Sequence, residues 1–369
     1  MQETSRLVEY GVPIDANLMI EPPDTPELEL EPGHPGLGDE GYVQRRRELF
    51  GLCRRHRLER LGPPLIEYTP EETRIWREVS PKLDELHQKH ASRIYLQAKK
   101  ALGISQTEIP QLRLLSQQLE RETHMHLVPA EGPLPYRTFY SYIAERGFPV
   151  TQFIRHGSHP EFTPEPDMIH DCLGHVPSLM NHDYAELLTL IGKAVVSTPV
   201  PEQVLALKRF SWFSIEFGLI QEDNDTKIFG AGILSSTGEI PFSLSNDVRH
   251  RPFVTNEVIE TDYDPSRMQD LLFIIPSFTF LRREIEQLVK RFGIEVDPQL
   301  GDWNIYFELL RADRLKKYRG RHIVLYNGRI VADGSDPGEL RRRISKELSV
   351  APERLVIPFI EDHETIVAE

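Results

Sequence analysis

In the stretch PEPDMIHDCLGH, residues 164–175, two histidines stand five positions apart among three carboxylates. That interval constrains the fold more than any other feature of the chain. At about 100° per residue, His170 and His175 on an ideal α-helix would point roughly 140° apart. The zinc-protease pattern H-E-x-x-H instead sets its ligands four apart on one helix face. Either these are two ordinary histidines, or the backbone bends between them so that both serve one site.

A third donor candidate lies in RFSWFSIEFGLIQ, where Glu216 sits among Phe210, Trp212, Phe213, Ile215 and Phe217. An ionised carboxylate in so apolar a stretch is costly to bury unless it is paired or binds a metal, although a solvated helix face would also accommodate it. The chain has only two cysteines, Cys53 and Cys172. They cannot build a disulfide framework or a sulfur-rich zinc site, so a metal here must take nitrogen and oxygen ligands. Two imidazoles and one carboxylate form the facial triad that holds ferrous iron and leaves the opposite positions open. The same set suits a hydrolytic zinc site in which Asp171 or Glu165 activates water. Ligand type alone leaves both open.

Net charge narrows the partners. With 43 Lys plus Arg against 57 Asp plus Glu, the chain carries −14, which disfavours nucleic acid or an anionic membrane. No apolar run reaches 18 residues and the N-terminus has neither a basic nor an apolar leader region, so a cytoplasmic protein acting on a small molecule is expected.

Four parts follow from composition. Residues 1–33, rich in Pro and acidic side chains, are expected to be extended or disordered. Residues 34–293 open with helical periodicity at Val79, Leu83, Leu86 and Ile94, then at Leu112, Leu115 and Leu119. From about Leu127, Pro, Gly, His and aromatics interleave, with short runs such as IFGAGILSS that read as strands or loops around a pocket. Residues 294–317 read as a connecting helix or linker. Residues 318–369 carry RHIVLYNGRIVADG, two strands about an Asn-Gly turn, then a helix capped by Ser335 or Asp336 and a last strand LVIPFI. This is a small, self-contained ββαβ module. Gly230–Gly232 lacks the context of a phosphate loop.

The blocks TQFIRHGSHPEFTPEPDMIHDCLGHVP, WFSIEFGLIQ and GAGILSSTGE, in that order, resemble the catalytic domain of the pterin-dependent aromatic amino acid hydroxylases. The likeness runs from about His34 to about Phe292. It implies a mainly α (α+β), helical, basket-like domain, and ferrous iron on His170, His175 and Glu216, with a bend near Gly174 explaining the spacing. A tetrahydropterin cosubstrate and insertion of one atom of dioxygen into an aromatic ring are implied with it. By the same match Arg155 grips the amino acid carboxylate and Asp167 orients it. Thr163 and Ser235 line the substrate site, Ser235 also fixing the His170 tautomer, and Trp212 and Phe217 wall the substrate ring. Phe139 stacks on the pterin, the loop from Gly132 through Leu134 to Tyr136 runs along its edge, and Asp171 faces it.

The pattern departs from animal members at Pro135, Tyr136 and Pro149 near the pterin, and at Pro265, a position tied to substrate preference. A regulatory domain and a tetramerisation helix have no counterpart here, so a monomer or small homo-oligomer is expected. L-phenylalanine is the expected substrate. Trp212 leaves little room for an indole, and the segment from Pro265 through Leu271 to Ile275 reads as apolar surface unsuited to a para hydroxyl. Other expectations are another aromatic substrate or ring position, a zinc-dependent hydrolase, and a binding protein that kept the fold without catalysis.

Overall fold

Side chains that satisfy free amides set the helix starts. In this computed structural model, which describes residues 28, 30, 32–161, 163, 165–265 and 267–361, the Asp39 carboxylate accepts from the Tyr42 amide and opens α1 (Glu40–Leu58). Thr69 and Glu72 form a reciprocal capping box, with Pro70 at the first turn, and open α2 (Pro70–His90). Then come α3 (Arg93–Leu102) and α4 (Leu112–Thr123). Val79 and Leu83 of α2 and Leu112, Leu115 and Leu119 of α4 enter one large apolar core, as the periodicity anticipated, with Leu86 packed against it and with Ile75 and Trp76 added. Ile94, expected in the same set, stays outside the core, where Tyr95 of α3 is buried instead. The expectation for residues 1–33 falls almost wholly outside the described residues.

The middle of the chain shapes the pocket. Strands β1 (His126–Pro129) and β2 (Gly147–Val150) pair in parallel around α5 (Tyr136–Ala144). A short α6 (Met168–His170) runs into a π-turn over Asp171–His175. Helix α7 (His182–Ser197) is buried on most of its circumference and forms the central post. Helix α8 (Pro201–Ser211) ends in a second π-turn, Trp212–Glu216. Next come β3 (Leu219–Glu222), β4 (Asp225–Ile228), α9 (Ala231–Leu234), α10 (Glu239–Ser243), β5 (Arg249–Pro252), α11 (Thr255–Glu260), β6 (Leu271–Ile275) and α12 (Phe278–Arg291). The strands join in the order β4-β3-β6-β5. IFGAGILSS thus divides between the end of β4 and α9. The result is a mainly helical fold with small sheets, the expected class.

Helix α13 (Leu300–Arg311) leads into β7 (Arg321–Tyr326), β8 (Arg329–Gly334), α14 (Pro337–Leu348) and β9 (Phe359–Ile360). Asn327 and Gly328 take φ of 49° and 70° in the hairpin turn, as a type I′ turn requires. Asp336 is the residue that caps α14. The last strand is shorter than LVIPFI suggested: only Phe359 and Ile360 pair with β7, and Val356 makes an isolated bridge to Leu325. Pro358 has no amide proton and contributes only its carbonyl, to Ile323.

One face of the module closes over Val324, Leu340, Ile344 and Leu355. Its other face is shared with the rest of the chain, as Ile323, Leu325, Val356 and Ile360 pack with Trp303, Ile305 and Leu309 of α13 and with Val128 and Tyr142. Buried ions cross the same seam. Arg57 of α1 donates to both carboxylate oxygens of Glu131, at 3.0 and 2.6 Å. It also pairs with Glu308 of α13, to which the Tyr142 hydroxyl donates at 2.6 Å.

A second pair of buried carboxylates here makes stability depend on pH. Asp302 Oδ1 accepts from the Gly328 amide at 2.7 Å, while its Oδ2 has no partner. Burial pushes Asp302 up to about 6, and burial together with Asp302 pushes Glu145 up. A raised carboxyl stabilises the fold fully below its ordinary value of 3.8 and loses that contribution as pH rises through about 6. Asp302→Asn, which keeps the acceptor for Gly328, should therefore raise Tm at pH 8, with the gain shrinking towards pH 4 to 5. Thermal denaturation across that range checks it, and an equal loss of Tm at every pH would contradict it.

Candidate functional site

Both segments that carry the expected metal ligands leave the α-helix in the same way. In the first π-turn the Val176 amide reaches back five residues to the Asp171 carbonyl at 2.9 Å, and in the second the Phe217 amide reaches Trp212 at 2.8 Å. A five-residue repeat brings His170 and His175 to one side, so the spacing that fails on an α-helix works here. The two rings meet edge to face with centroids 4.9 Å apart. His175 Nε2 lies 3.1 Å from Glu216 Oε1. One ligand atom from each of His170, His175 and Glu216 falls within 4.8 Å of the others, a span that one ion can bridge. Gly174 fits because a Cβ there would lie 2.7 Å from the Ala231 carbonyl oxygen. Gly230 is needed for a similar reason, since its Cβ would lie 2.3 Å from the Glu216 carbonyl oxygen.

Hydrogen bonds fix the protonation pattern that a metal needs. The Ser235 hydroxyl donates to the Gly232 carbonyl at 3.0 Å and lies 2.9 Å from His170 Nδ1. Its one proton is committed, so His170 Nδ1–H must be the donor and Nε2 keeps its lone pair for an ion. Burial, followed by the neighbouring His175, lowers His170 to about 4 and keeps it neutral. Beneath the cluster the Lys99 ammonium donates to His87 Nδ1 at 2.9 Å, which leaves Nε2–H to donate to the Leu234 carbonyl at 2.6 Å. The Tyr95 hydroxyl donates to the Leu173 carbonyl between the two histidines. His87, Tyr95 and Lys99 carried no sequence signal, because His87 and Tyr95 meet backbone carbonyls distant in the chain and Lys99 meets Asp84 and His87 of the neighbouring helix.

Asp167 joins the metal cluster to the expected substrate anchor. Its oxygens accept from Arg155 Nε at 2.9 Å and Nη2 at 2.7 Å, and from the His170 amide at 3.0 Å. Burial alone would raise this carboxyl, but Arg155 and the amides hold it below its usual range. Asp171 accepts from the amide and hydroxyl of Thr151, yet burial pushes it up to about 7.

A cavity of about 620 Å³ brings the remaining candidates together. Arg155, Thr163, His170, Asp171, His175, Trp212, Glu216, Phe217 and Ser235 line it, as do Gly132, Leu134 and Phe139 at the other end. Asp167 stands behind the wall, fully buried, and Tyr136, the far end of the expected pterin-edge loop, is exposed at the start of α5 and does not line the cavity. Thr163 Oγ1, Trp212 Nε1 and His175 Nδ1 are buried without partners within the protein, so polar groups of a ligand have donors and acceptors to meet. The segment Leu271–Ile275 does not line the cavity, contrary to the expectation. It is β6, whose Leu272, Phe273 and Ile275 face the core. Tyr263, missed in the sequence although two residues before Pro265, stacks on Trp212 with centroids 4.2 Å apart and lines the cavity in its place.

Residues 23–311 match the model of the biopterin-dependent aromatic amino acid hydroxylases. The chain belongs to that family. Residues 313–357 match a family of unknown function (DUF5678). The chain is 35% identical over 283 residues to tyrosine 3-monooxygenase of Bos taurus, covering 74% of this chain and 56% of the relative. It is 41% identical over 219 residues to the chloroplastic phenylalanine 4-monooxygenase of Pinus taeda, covering 59% and 61%. It thus spans less than two thirds of these curated relatives. The cold-active phenylalanine hydroxylase from Colwellia psychrerythraea 34H superposes with a TM-score of 0.57 at 30% identity, over 62% of this chain and 90% of that one. The phenylalanine hydroxylase of Chromobacterium violaceum, solved with iron(III) and 7,8-dihydrobiopterin, gives 0.58 at 29%, over 62% and 84%. Family membership makes a non-heme iron and a biopterin the cofactors of this chain, and the donor set of the cluster fits the iron.

The Ser235 contact yields a direct test. Ser235→Ala frees the His170 tautomer and should weaken ferrous iron binding about 10- to 100-fold, measured by competition with a chelator, while the fold survives. Unchanged affinity would show that Ser235 does not set the tautomer.

Proposed function

We propose that the chain is an aromatic amino acid monooxygenase that hydroxylates L-phenylalanine to L-tyrosine, with iron held by His170, His175 and Glu216. The convergence of these three donors in one cavity with Arg155 carries the reading. Bound iron and a tetrahydropterin supply the activation of dioxygen and the delivery of one oxygen atom to the ring. The protein's share is to bind, orient and exclude water.

Arg155 receives the amino acid carboxylate. Asp167 fixes the guanidinium through Nε and Nη2, so the plane of the fork is set before substrate arrives. Thr163 offers a free hydroxyl beside it. Trp212, stacked on Tyr263, and Phe217, tilted 33° from Trp212 with centroids 4.6 Å apart, form the aromatic side of the pocket for a benzyl ring. Phe139, Gly132, Leu134 and Asp171, which line the same cavity, would hold the pterin. The hydrolase reading has less support. Both carboxylates that could activate water are engaged, Glu165 with Arg46 at 2.8 Å and Asp171 with Thr151.

Phenylalanine is favoured over tyrosine because a benzyl ring meets the aromatic faces of Trp212 and Phe217 with no polar group to satisfy, whereas a para hydroxyl must reach Trp212 Nε1 or Thr163 Oγ1. Left unpaired, that hydroxyl costs about 1–3 kcal/mol, or roughly tenfold to a hundredfold in preference. An indole needs more room than Trp212 leaves. With iron-loaded protein and a reduced pterin, kcat/KM for phenylalanine should exceed that for tyrosine and tryptophan by at least about tenfold, with para-tyrosine as product. A preference for either competitor, or meta-tyrosine as the main product, would overturn the assignment.

A further inference from the structure

Helix α1 ends in a left-handed cap. The Leu61 amide reaches the His56 carbonyl at 3.0 Å, the Arg60 amide reaches Arg57 at 3.2 Å, and Arg60 itself takes φ of 57°. Glycine ordinarily fills such a position, since any Cβ strains it. An arginine held there is a reason to ask what its side chain does. The guanidinium sits 4.9 Å from the Tyr142 ring centroid and 3.8 Å from Glu308, too far for a hydrogen bond. Its Nε and Nη2 are buried without a hydrogen-bond partner.

Two cavities outside the hydroxylase pocket, of about 360 and 510 Å³, meet at Arg60, Leu61 and Arg329, in the seam between α1 and the C-terminal module. Seven arginines and lysines and three carboxylates line the pair, in a chain whose net charge is −14. The carboxylates are already matched: Glu120 with Arg329, Glu59 with Arg314, and Asp313 with Lys316. Arg113 and Lys317 have no carboxylate partner among the described residues, and Arg60 has only Glu308, outside the lining at 3.8 Å and shared with Arg57. Val128, Pro63, Leu309 and Ile330 add apolar wall.

We propose that this seam binds a phosphorylated small molecule, with its phosphoryl group on Arg60 and its organic part along the apolar wall. Guanidinium forks and a nearby ammonium suit a multiply charged phosphoryl oxygen set, and the cavity sizes fall in the range of small-ligand sites. A bound anion would share the charged link that runs from Arg60 through Glu308 and Arg57 to Glu131, the residue before Gly132.

Calorimetric titration of the full iron-loaded chain with pyrophosphate, and with citrate as a phosphorus-free polyanion, tests this at near-physiological salt. Pyrophosphate should bind saturably, and citrate at least about tenfold more weakly. Arg60→Gly should weaken pyrophosphate binding by about tenfold or more, the loss of a bidentate charged contact, while Tm holds or rises as glycine relieves the left-handed backbone. That variant leaves the metal cluster untouched, so anion taken up there would survive it. Absence of saturable binding, undiminished binding by Arg60→Gly, or citrate binding as tightly as pyrophosphate would overturn the proposal. A fall of several degrees in the Tm of Arg60→Gly would overturn it too, by making Arg60 structural.

Discussion

A single buried carboxylate, Asp167, sets the geometry on which the site depends. It caps the short helix that presents His170 and grips Arg155 through two parallel bonds. His170 and Arg155, the proposed substrate anchor, are therefore tied to one another. An ionised carboxylate with no exposed surface is stable only because a guanidinium and two amides compensate it. Loss of Arg155 would leave an unpaired buried charge and loosen the helix start beneath the iron, so binding and folding are linked at this residue.

The two π-turns solve a packing problem as well as a ligand problem. Each releases a backbone segment from the α-helical ladder and turns a donor side chain inward, and both converge near α9, whose backbone approaches so closely that Gly174 and Gly230 cannot carry a side chain. Ser235 follows α9 and orients His170 from the opposite side. Short-range contacts thus determine the position of all three ligands, and the surrounding core of α2, α4 and α7 holds them rigid.

Much of this was legible in the sequence because the site uses residue types with strong chemical meaning. His170, His175 and Glu216 stand out by residue type, Arg155 only through the family resemblance, and the Asn327–Gly328 turn needs left-handed φ that few residues tolerate. Other features were hidden for physical reasons. The π-turns have no composition signal of their own. Tyr263 looks like any loop aromatic until it stacks on Trp212. The Arg57–Glu131–Glu308 clamp joins residues 74 and 251 positions apart, so no local pattern could reveal it. It also shows why the ββαβ module, readable as a separate unit, shares a core with α13 and Tyr142. Leu271–Ile275 misled because an apolar run lines a pocket or fills a core with equal ease.

The central claim is that two π-turns deliver two imidazoles and one carboxylate to the same iron. X-ray absorption of the chain loaded anaerobically with ferrous iron addresses it directly. The account predicts a first shell of nitrogen and oxygen only, with outer-shell scattering from two imidazole rings that falls to one ring in His175→Ala. A sulfur scatterer, or an imidazole signal unchanged in that variant, would contradict it.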